Sequence, residues 1–390
     1  MRVLILGGDV DGNLGDRALL TGMCDDLRSS GWPVEVTTTS SRSGQNGHDG
    51  LDVRALRRGV RGFAAMRGAA ARADLVLWGG GGLLQDDDSL LKVPYWATLL
   101  TLLRPVSRYT VAYALGVGPL RRSASRLLAG HALGRCDAIS ARDRLGQTLA
   151  AKLSSLPVSL VPDPALLLRP APRPAALEWL REREVPRDGR PIVGVALRRW
   201  FPPRDRLVPH QHRPRFVSSP EQRAPEAERL IDNLARCLSR IAKELGAHLL
   251  FLPSYAIEVE GDVEICQRVL TRSGAKGQIE VIRDPRVYAA IVGELQLVVG
   301  GRMHPTILAA SAGTPVVGIG YNPKFDGFFE LLDSQDLQLP VERVVGESGA
   351  EELEGVMRAA LERGPPSPAR VERLRQMARR FNRELLGSFA

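Results

Sequence analysis

Cysteine is scarce in this chain and scattered. Its 390 residues include four, Cys24, Cys136, Cys237 and Cys266, with no Cys-x-x-Cys pair. That excludes a disulfide framework and a cysteine zinc site, and leaves buried thiols of a reducing compartment. Long apolar runs are also missing. The longest, Val93 to Leu103, is closed by Lys92 and Arg104, whereas a membrane-spanning helix takes about 18–20 residues. The opening Met1–Gly7 has an apolar core of only Val3–Leu6, short of the roughly 7–15 residues of an export signal. A cytoplasmic protein is expected, its working place including the inner face of the membrane. Aromatics are 5% of the chain and interleave with no basic segment, so nucleic acid is not an expected partner. No metal-ligand cluster and no cofactor motif is visible.

Lysine is nearly absent. Lys92, Lys152, Lys243, Lys276 and Lys324 are the five, against 53 lysines and arginines together and 44 acidic residues. Arginine use on that scale reads as genomic base composition. The net charge of +9 suits an anionic small substrate or an anionic membrane surface equally well.

What is present is an ordinary globular composition, 44% hydrophobic and 25% charged. At about 150 residues per domain the length predicts two or three domains. Strand signals at Val3–Leu6, Val34–Thr38, Leu75–Trp78, Thr110–Leu115, Ala138–Ser140 and Val158–Val161 alternate with helical stretches. A second series runs through Ile192–Leu197, His248–Leu252, Ile279–Ile282, Leu297–Val299 and Val316–Ile319. Such alternation predicts parallel sheets covered by helices on both faces. The expected fold is α/β: two doubly wound Rossmann-like domains facing a cleft. The domains are read as 1–170, a proline-rich linker 171–191, 192–345 with a long loop at 201–225, and a basic helical tail 346–390. Val371, Leu374, Ala378, Phe381 and Leu385 give the tail an apolar face, either packed on the body or laid on a membrane.

In doubly wound sheets, ligands bind at the carboxyl ends of the strands, and the motifs gather there. The first strand runs into Gly7-Gly8-Asp9-Val10-Asp11-Gly12-Asn13-Leu14-Gly15-Asp16. This turn suits an anion but has neither the dinucleotide nor the P-loop spacing. Asn13 and Asp16 are capping or ligand-binding candidates. Gly79-Gly80-Gly81-Gly82, with Gln85 and Asp86 beyond, would let a ligand approach the backbone at Gly80 and Gly81. Arg142 in Ser140-Ala141-Arg142-Asp143 and Arg198 in Arg198-Arg199-Trp200 each follow a strand and suit a carboxylate or phosphate. Gly300-Gly301-Arg302-Met303-His304-Pro305 leaves a strand and enters a helix, placing a fixed charge and a titratable group together. Lys324 follows Tyr321-Asn322-Pro323 and stands out in a chain that otherwise uses arginine.

Together these residues resemble the polysaccharide pyruvyl transferase family. The resemblance rests on Gly12–Asp16, Gly80–Asp86, Gly116-Val117-Gly118-Pro119, Ser140–Asp143, Asp163-Pro164-Ala165, Arg198–Trp200, Arg302-Met303-His304 and Tyr321–Lys324, in order across most of the chain. Pro305 and Thr306 stand where the family more often has alanine and leucine, and Asn322 where aspartate is common. The resemblance implies a glycosyltransferase-B-like fold, with 1–170 as the acceptor side and 192–345 as the donor side, and transfer of pyruvate from phosphoenolpyruvate to two hydroxyls of one sugar, as a ketal. Its acceptors are cell-surface polysaccharides or their lipid-linked precursors. The compact polyanionic donor wants arginine, lysine and helix N-termini together, which assigns its binding to Arg142, Arg198, Arg302 and Lys324. Proton transfer at the enol carbon needs a general acid and then a base, assigned to His304. Asn13, Asp16, Gly80, Gly81 and Asp86 are assigned to the acceptor or to an anion. The alternative function is a nucleotide-sugar glycosyltransferase of the same fold. Retaining members carry Glu-x7-Glu, and at that spacing this chain has Asn322 and Glu330, so the first acid is missing. A non-catalytic scaffold is a third reading.

Overall fold

The computed structural model describes residues 1–9, 13–29, 33–40, 53–87, 89–186, 188–200, 225–255 and 261–387. The expected loop at 201–225 lies outside the described residues except for Pro225, and so do Val10, Asp11 and Gly12 of the first glycine turn. The described residues form two compact units, 1–169 with 372–387, and 170–200 with 225–371.

The first unit runs β1 (Arg2–Asp9), α1 (Leu14–Ser29), β2 (Glu35–Ser40), β3 (Arg54–Arg57), α2 (Phe63–Arg72), β4 (Leu75–Gly79), α3 (Lys92–Leu103), β5 (Thr110–Leu115), α4 (Ser123–Leu133), β6 (Ala138–Ala141), α5 (Arg144–Leu153) and β7 (Val158–Leu160). Its seven strands are parallel, in the order β3-β2-β1-β4-β5-β6-β7. Successive strand residues feed opposite faces, as the pleat requires. Leu4, Leu6, Val76, Trp78 and Ala112 enter one core with α2 to α5, while Val3, Ile5, Leu75, Leu77, Val111 and Tyr113 enter the other with α1.

The second unit runs α6 (Arg173–Glu182), β8 (Ile192–Ala196), α7 (Pro225–Leu245), β9 (His248–Phe251), α8 (Asp262–Ser273), β10 (Gly277–Ile279), α9 (Pro285–Val292), β11 (Leu297–Gly300), α10 (Met303–Ala312), β12 (Val316–Gly320), α11 (Lys324–Leu332), β13 (Gln338–Pro340), α12 (Val341–Val345) and α13 (Gly349–Arg363). Its six strands are parallel, in the order β10-β9-β8-β11-β12-β13. The strands β8, β11 and β12 are buried throughout, which is why they read as continuous apolar runs rather than alternating ones. Within the proline-rich 171–191 segment, α6 packs against α9 and buries Ala176 and Leu180.

The last helix, α14 (Pro368–Gly387), places its residues from Glu372 onward in the first unit. Ala378, Leu385 and Leu386 are buried in the core shared with β1 and β5, and Phe381 lies 6.0 Å from the Tyr113 ring. Arg375 donates to the Leu166 carbonyl at 3.0 Å, and Asn382 to the Asp26 carboxylate. The apolar face that suggested membrane contact is thus spent inside the protein. No helix among the described residues is long and apolar enough to cross a membrane.

Candidate functional site

In each sheet the strand order reverses once, and there the loops on neighbouring strands diverge and leave a crevice. In the second unit the reversal falls between β8 and β11. Register sets what stands at its mouth: Gly300 of β11 pairs with Ala196 of β8 on one side and with Gly318 of β12 on the other. Arg198 therefore follows its paired residue by two positions, and so does Arg302. Tyr321 and Lys324 follow the end of β12. The three strands deliver Arg198, Arg302, His304, Tyr321 and Lys324 to one end of one sheet.

The approach of these segments is close. The Gly301 N–H donates to the Ala196 carbonyl at 2.9 Å, and a Cβ on Gly301 would stand 3.3 Å from the Arg198 nitrogen. At Gly300 a Cβ would come within 2.4 Å of the Thr306 methyl, so the threonine in α10 and the glycine before it fit as a pair. The Arg198 guanidinium lies 4.0 Å over the Tyr321 ring, a cation–π contact that holds the fork flat. Leu197, Arg198, Trp200, Leu230, Gly301 and Tyr321 are among the walls of a narrow recess of about 20 Å³.

Arg302 is the N-cap residue of α10, and its side chain leaves the cap for Asp262 at the start of α8. Nε meets one carboxylate oxygen at 3.0 Å and Nη2 the other at 2.6 Å. Asp262 is fully buried and also accepts the Tyr255 N–H at 3.2 Å. The Tyr255 ring lies 4.7 Å from the guanidinium carbon. The same corner contains Cys266 and Tyr288, whose acidities are both suppressed by burial, with the Asp262 charge adding to the effect. His304 occupies the second position of α10 and is half-buried, Pro305 the third. Lys324 opens α11, its N–H donating to the Asn322 side chain at 3.1 Å.

In the first unit the reversal falls between β1 and β4. Asn13 caps α1: its Oδ1 accepts from the N–H groups of Gly15 (2.6 Å) and Asp16 (3.1 Å), and its Nδ2 donates to the Asp16 carboxylate at 2.9 Å. The four-glycine run divides in two. Gly79 and Gly80 have positive φ of +151° and +73°, and a Cβ on either would strike the Tyr113 carbonyl at 2.1 Å or Leu19 at 2.4 Å. Those two serve close packing. Gly81 meets nothing nearer than Leu83 at 3.9 Å, so there is room before it.

Beyond the strand ends, the glycine segments at 81–86 and 116–119 join. Gly116 donates to Gly81 (2.9 Å), Gly118 to Leu84 (2.7 Å) and Asp86 to Pro119 (3.0 Å). The Asp86 carboxylate accepts the N–H groups of Arg121 (2.8 Å) and Arg122 (3.0 Å). Both of its oxygens are committed to backbone, which makes it a brace for the turn into α4. Arg142 is likewise a brace: buried, with Nη1 donating to Asp163 at 3.0 Å, its guanidinium fills the space a Gly116 side chain would need. Sequence reading named neither Asp262 nor Tyr255. The one available signal was an acid opening the helix after the β9 loop.

Residues 13–323 match the model of the polysaccharide pyruvyl transferase family. A search of curated proteins gives no match. Among solved structures, Anabaena Alr3699/HepE in complex with UDP-glucose is similar over 100% of both chains at 14% identity, TM-score 0.54. A Methanocaldococcus jannaschii UDP-GlcNAc 2-epimerase covers 93% of each chain at 11% identity, TM-score 0.55. The E. coli ADP-heptose lps heptosyltransferase II matches over 93% of this chain and 99% of its own at 12% identity, TM-score 0.50. At these identities the likeness is one of fold, and that fold is glycosyltransferase-B-like.

Proposed function

The chain belongs to the polysaccharide pyruvyl transferase family, and from that premise we propose that it moves the enolpyruvyl group of phosphoenolpyruvate onto a sugar of a cell-surface polysaccharide, or of its lipid-linked precursor, as a ketal. The observation that carries the reading is the delivery of Arg198, Arg302, His304 and Lys324 by adjacent strands to the reversal point of the second sheet. Phosphoenolpyruvate places a carboxylate and a phosphate on a three-carbon frame. The Arg198 guanidinium, the part of the Arg302 guanidinium not engaged by Asp262, an ammonium and the N-termini of α10 and α11 supply complementary charge.

In the proposed reaction a sugar hydroxyl adds to C2 of the enol while C3 takes a proton and becomes a methyl. The second hydroxyl then displaces phosphate from C2, closing the ketal, and its proton leaves with the inorganic phosphate. His304 donates the proton to C3 and receives the one the attacking hydroxyl gives up. Arg302, fixed by Asp262, and Arg198, fixed over Tyr321, hold the anionic ends. Asp86 and Arg142 brace the first unit and Gly80 is taken up by packing on Leu19; Asn13, Asp16 and the open backbone at Gly81 are left to the acceptor or an anion.

The test is a melting scan with phosphoenolpyruvate, with pyruvate plus phosphate as control and uridine diphosphate as rival. A ligand at about 100 times its Kd stabilises by roughly 2.7 kcal/mol. A shift specific to phosphoenolpyruvate is expected, retained in His304→Ala while turnover is lost. Stabilisation by uridine diphosphate alone would reassign the site to a nucleotide-sugar donor of the kind bound in the HepE complex with UDP-glucose.

A further inference from the structure

We propose that the outer face of the α2–α5 layer of the first unit docks on an anionic lipid bilayer. The starting observation is α3. Its inner side, through Val93, Trp96, Leu100 and Leu103, is buried in the core. Its outer side is the stripe Leu91, Tyr95, Thr98 and Leu102, spaced so that all four share one face, and all four are exposed. Leu91 is 51% exposed and Leu102 50%. From Val93 to Leu103 the helix has no charged residue. A helix apolar on both sides is normally covered on both sides. The neighbouring helices extend the patch: Leu127 on α4 is 76% exposed and Leu145 on α5 49%.

Charge identifies the occupant. The helices α2, α3, α4 and α5 contain Arg67, Arg72, Lys92, Arg126, Arg144 and Lys152, and not one aspartate or glutamate, in a chain with 44 acidic residues. By contrast α7, α8 and α13 all carry acids in their first turns. Of the acids just before α3, Asp86 is turned inward with its side chain fully buried, and Asp87 is half-buried. Exposed leucine and tyrosine on helices whose charged residues are all lysine or arginine is the composition of a surface lying in the interface of an anionic membrane. Each Lys or Arg held near such a surface contributes about 1 kcal/mol. This docking does not rest on the donor reading, since it uses none of the residues of the second sheet.

The experiment is co-sedimentation of the whole chain with vesicles of phosphatidylcholine containing phosphatidylglycerol, against phosphatidylcholine alone. The expected result is binding to the anionic vesicles, weakened by salt, with little on the neutral ones. Leu91→Glu, Leu102→Glu and Leu127→Glu together should weaken it by roughly tenfold or more, with the melting temperature unchanged. A gentler Leu102→Ser variant should weaken it less. Arg198→Ala should leave it intact. Equal partition onto both vesicle types, or retention in the triple variant, overturns the proposal. So does a failure to bind vesicles accompanied by a concentration-dependent dimer that the glutamates dissolve, which would give the face to a second copy of the chain.

Discussion

Replacing Asp262 with asparagine keeps the shape of the side chain and removes the charge that Arg302 faces. In the native protein both carboxylate oxygens accept from the guanidinium, at 3.0 and 2.6 Å, in a corner where the acid is fully buried. Breaking a buried pair costs about 3–5 kcal/mol, because one charge is left behind. An asparagine keeps one oxygen as acceptor, so the loss falls toward a single charge-assisted bond, about 1.5–3 kcal/mol. That stability loss should appear in urea unfolding. Function gives the sharper readout. With its fork no longer held, Arg302 should bind donor more weakly by roughly tenfold to a hundredfold, seen as a raised KM with a smaller change in kcat. An Asp262→Asn protein with native stability and native phosphoenolpyruvate affinity would refute the claim that this carboxylate positions the arginine.

Two further perturbations test the framework. Gly79→Ala puts a Cβ 2.1 Å from the Tyr113 carbonyl at a φ of +151°; the combined strain and overlap should cost about 3–5 kcal/mol in unfolding experiments, and a loss under 1 kcal/mol would show that the strands are less tightly set. His248, at the start of β9, has its pKa lowered by burial first, against a hydrogen bond donated to the Gln278 side chain that raises it, and lowered also by Arg190. The folded form therefore prefers the neutral ring. Its contribution is fully present above the unfolded value, about 6.5, and is lost as pH falls through the lower folded value. Thermal stability of His248→Asn relative to the native chain should thus improve below pH about 6.5; a parallel pair of curves would contradict the sign.

The central strands were legible because a parallel sheet buried on both faces demands unbroken β-branched and leucine runs, and Leu75–Trp78 or Val316–Ile319 admit few other readings. The edges were not. β3, Arg54-Ala-Leu-Arg57, and β13, Gln338-Leu-Pro340, carry polar ends and a proline, which edge strands tolerate and central ones do not. The strand expected at Ile279–Ile282 ends at Ile279. α3 read as an apolar run without helical alternation because both of its sides are apolar. In the site, Arg198, Arg302 and His304 could be singled out from where they stand along the chain. What could not be read was partnership: that Asp86 and Arg142 turn to the protein's own groups, and that Asp262, 40 positions from Arg302, closes on it. Such pairings depend on the register between strands distant in sequence, which no local pattern encodes.

The most direct test of the account is calorimetric titration of phosphoenolpyruvate into the native chain and into Arg198→Ala and Lys324→Ala. Both side chains are half-buried and follow strands at the carboxyl end of the second sheet, so their removal spares the core. The account predicts binding by the native chain and a loss of about tenfold or more in each variant with the fold intact. Native binding that neither substitution weakens, or no binding at all, would contradict it.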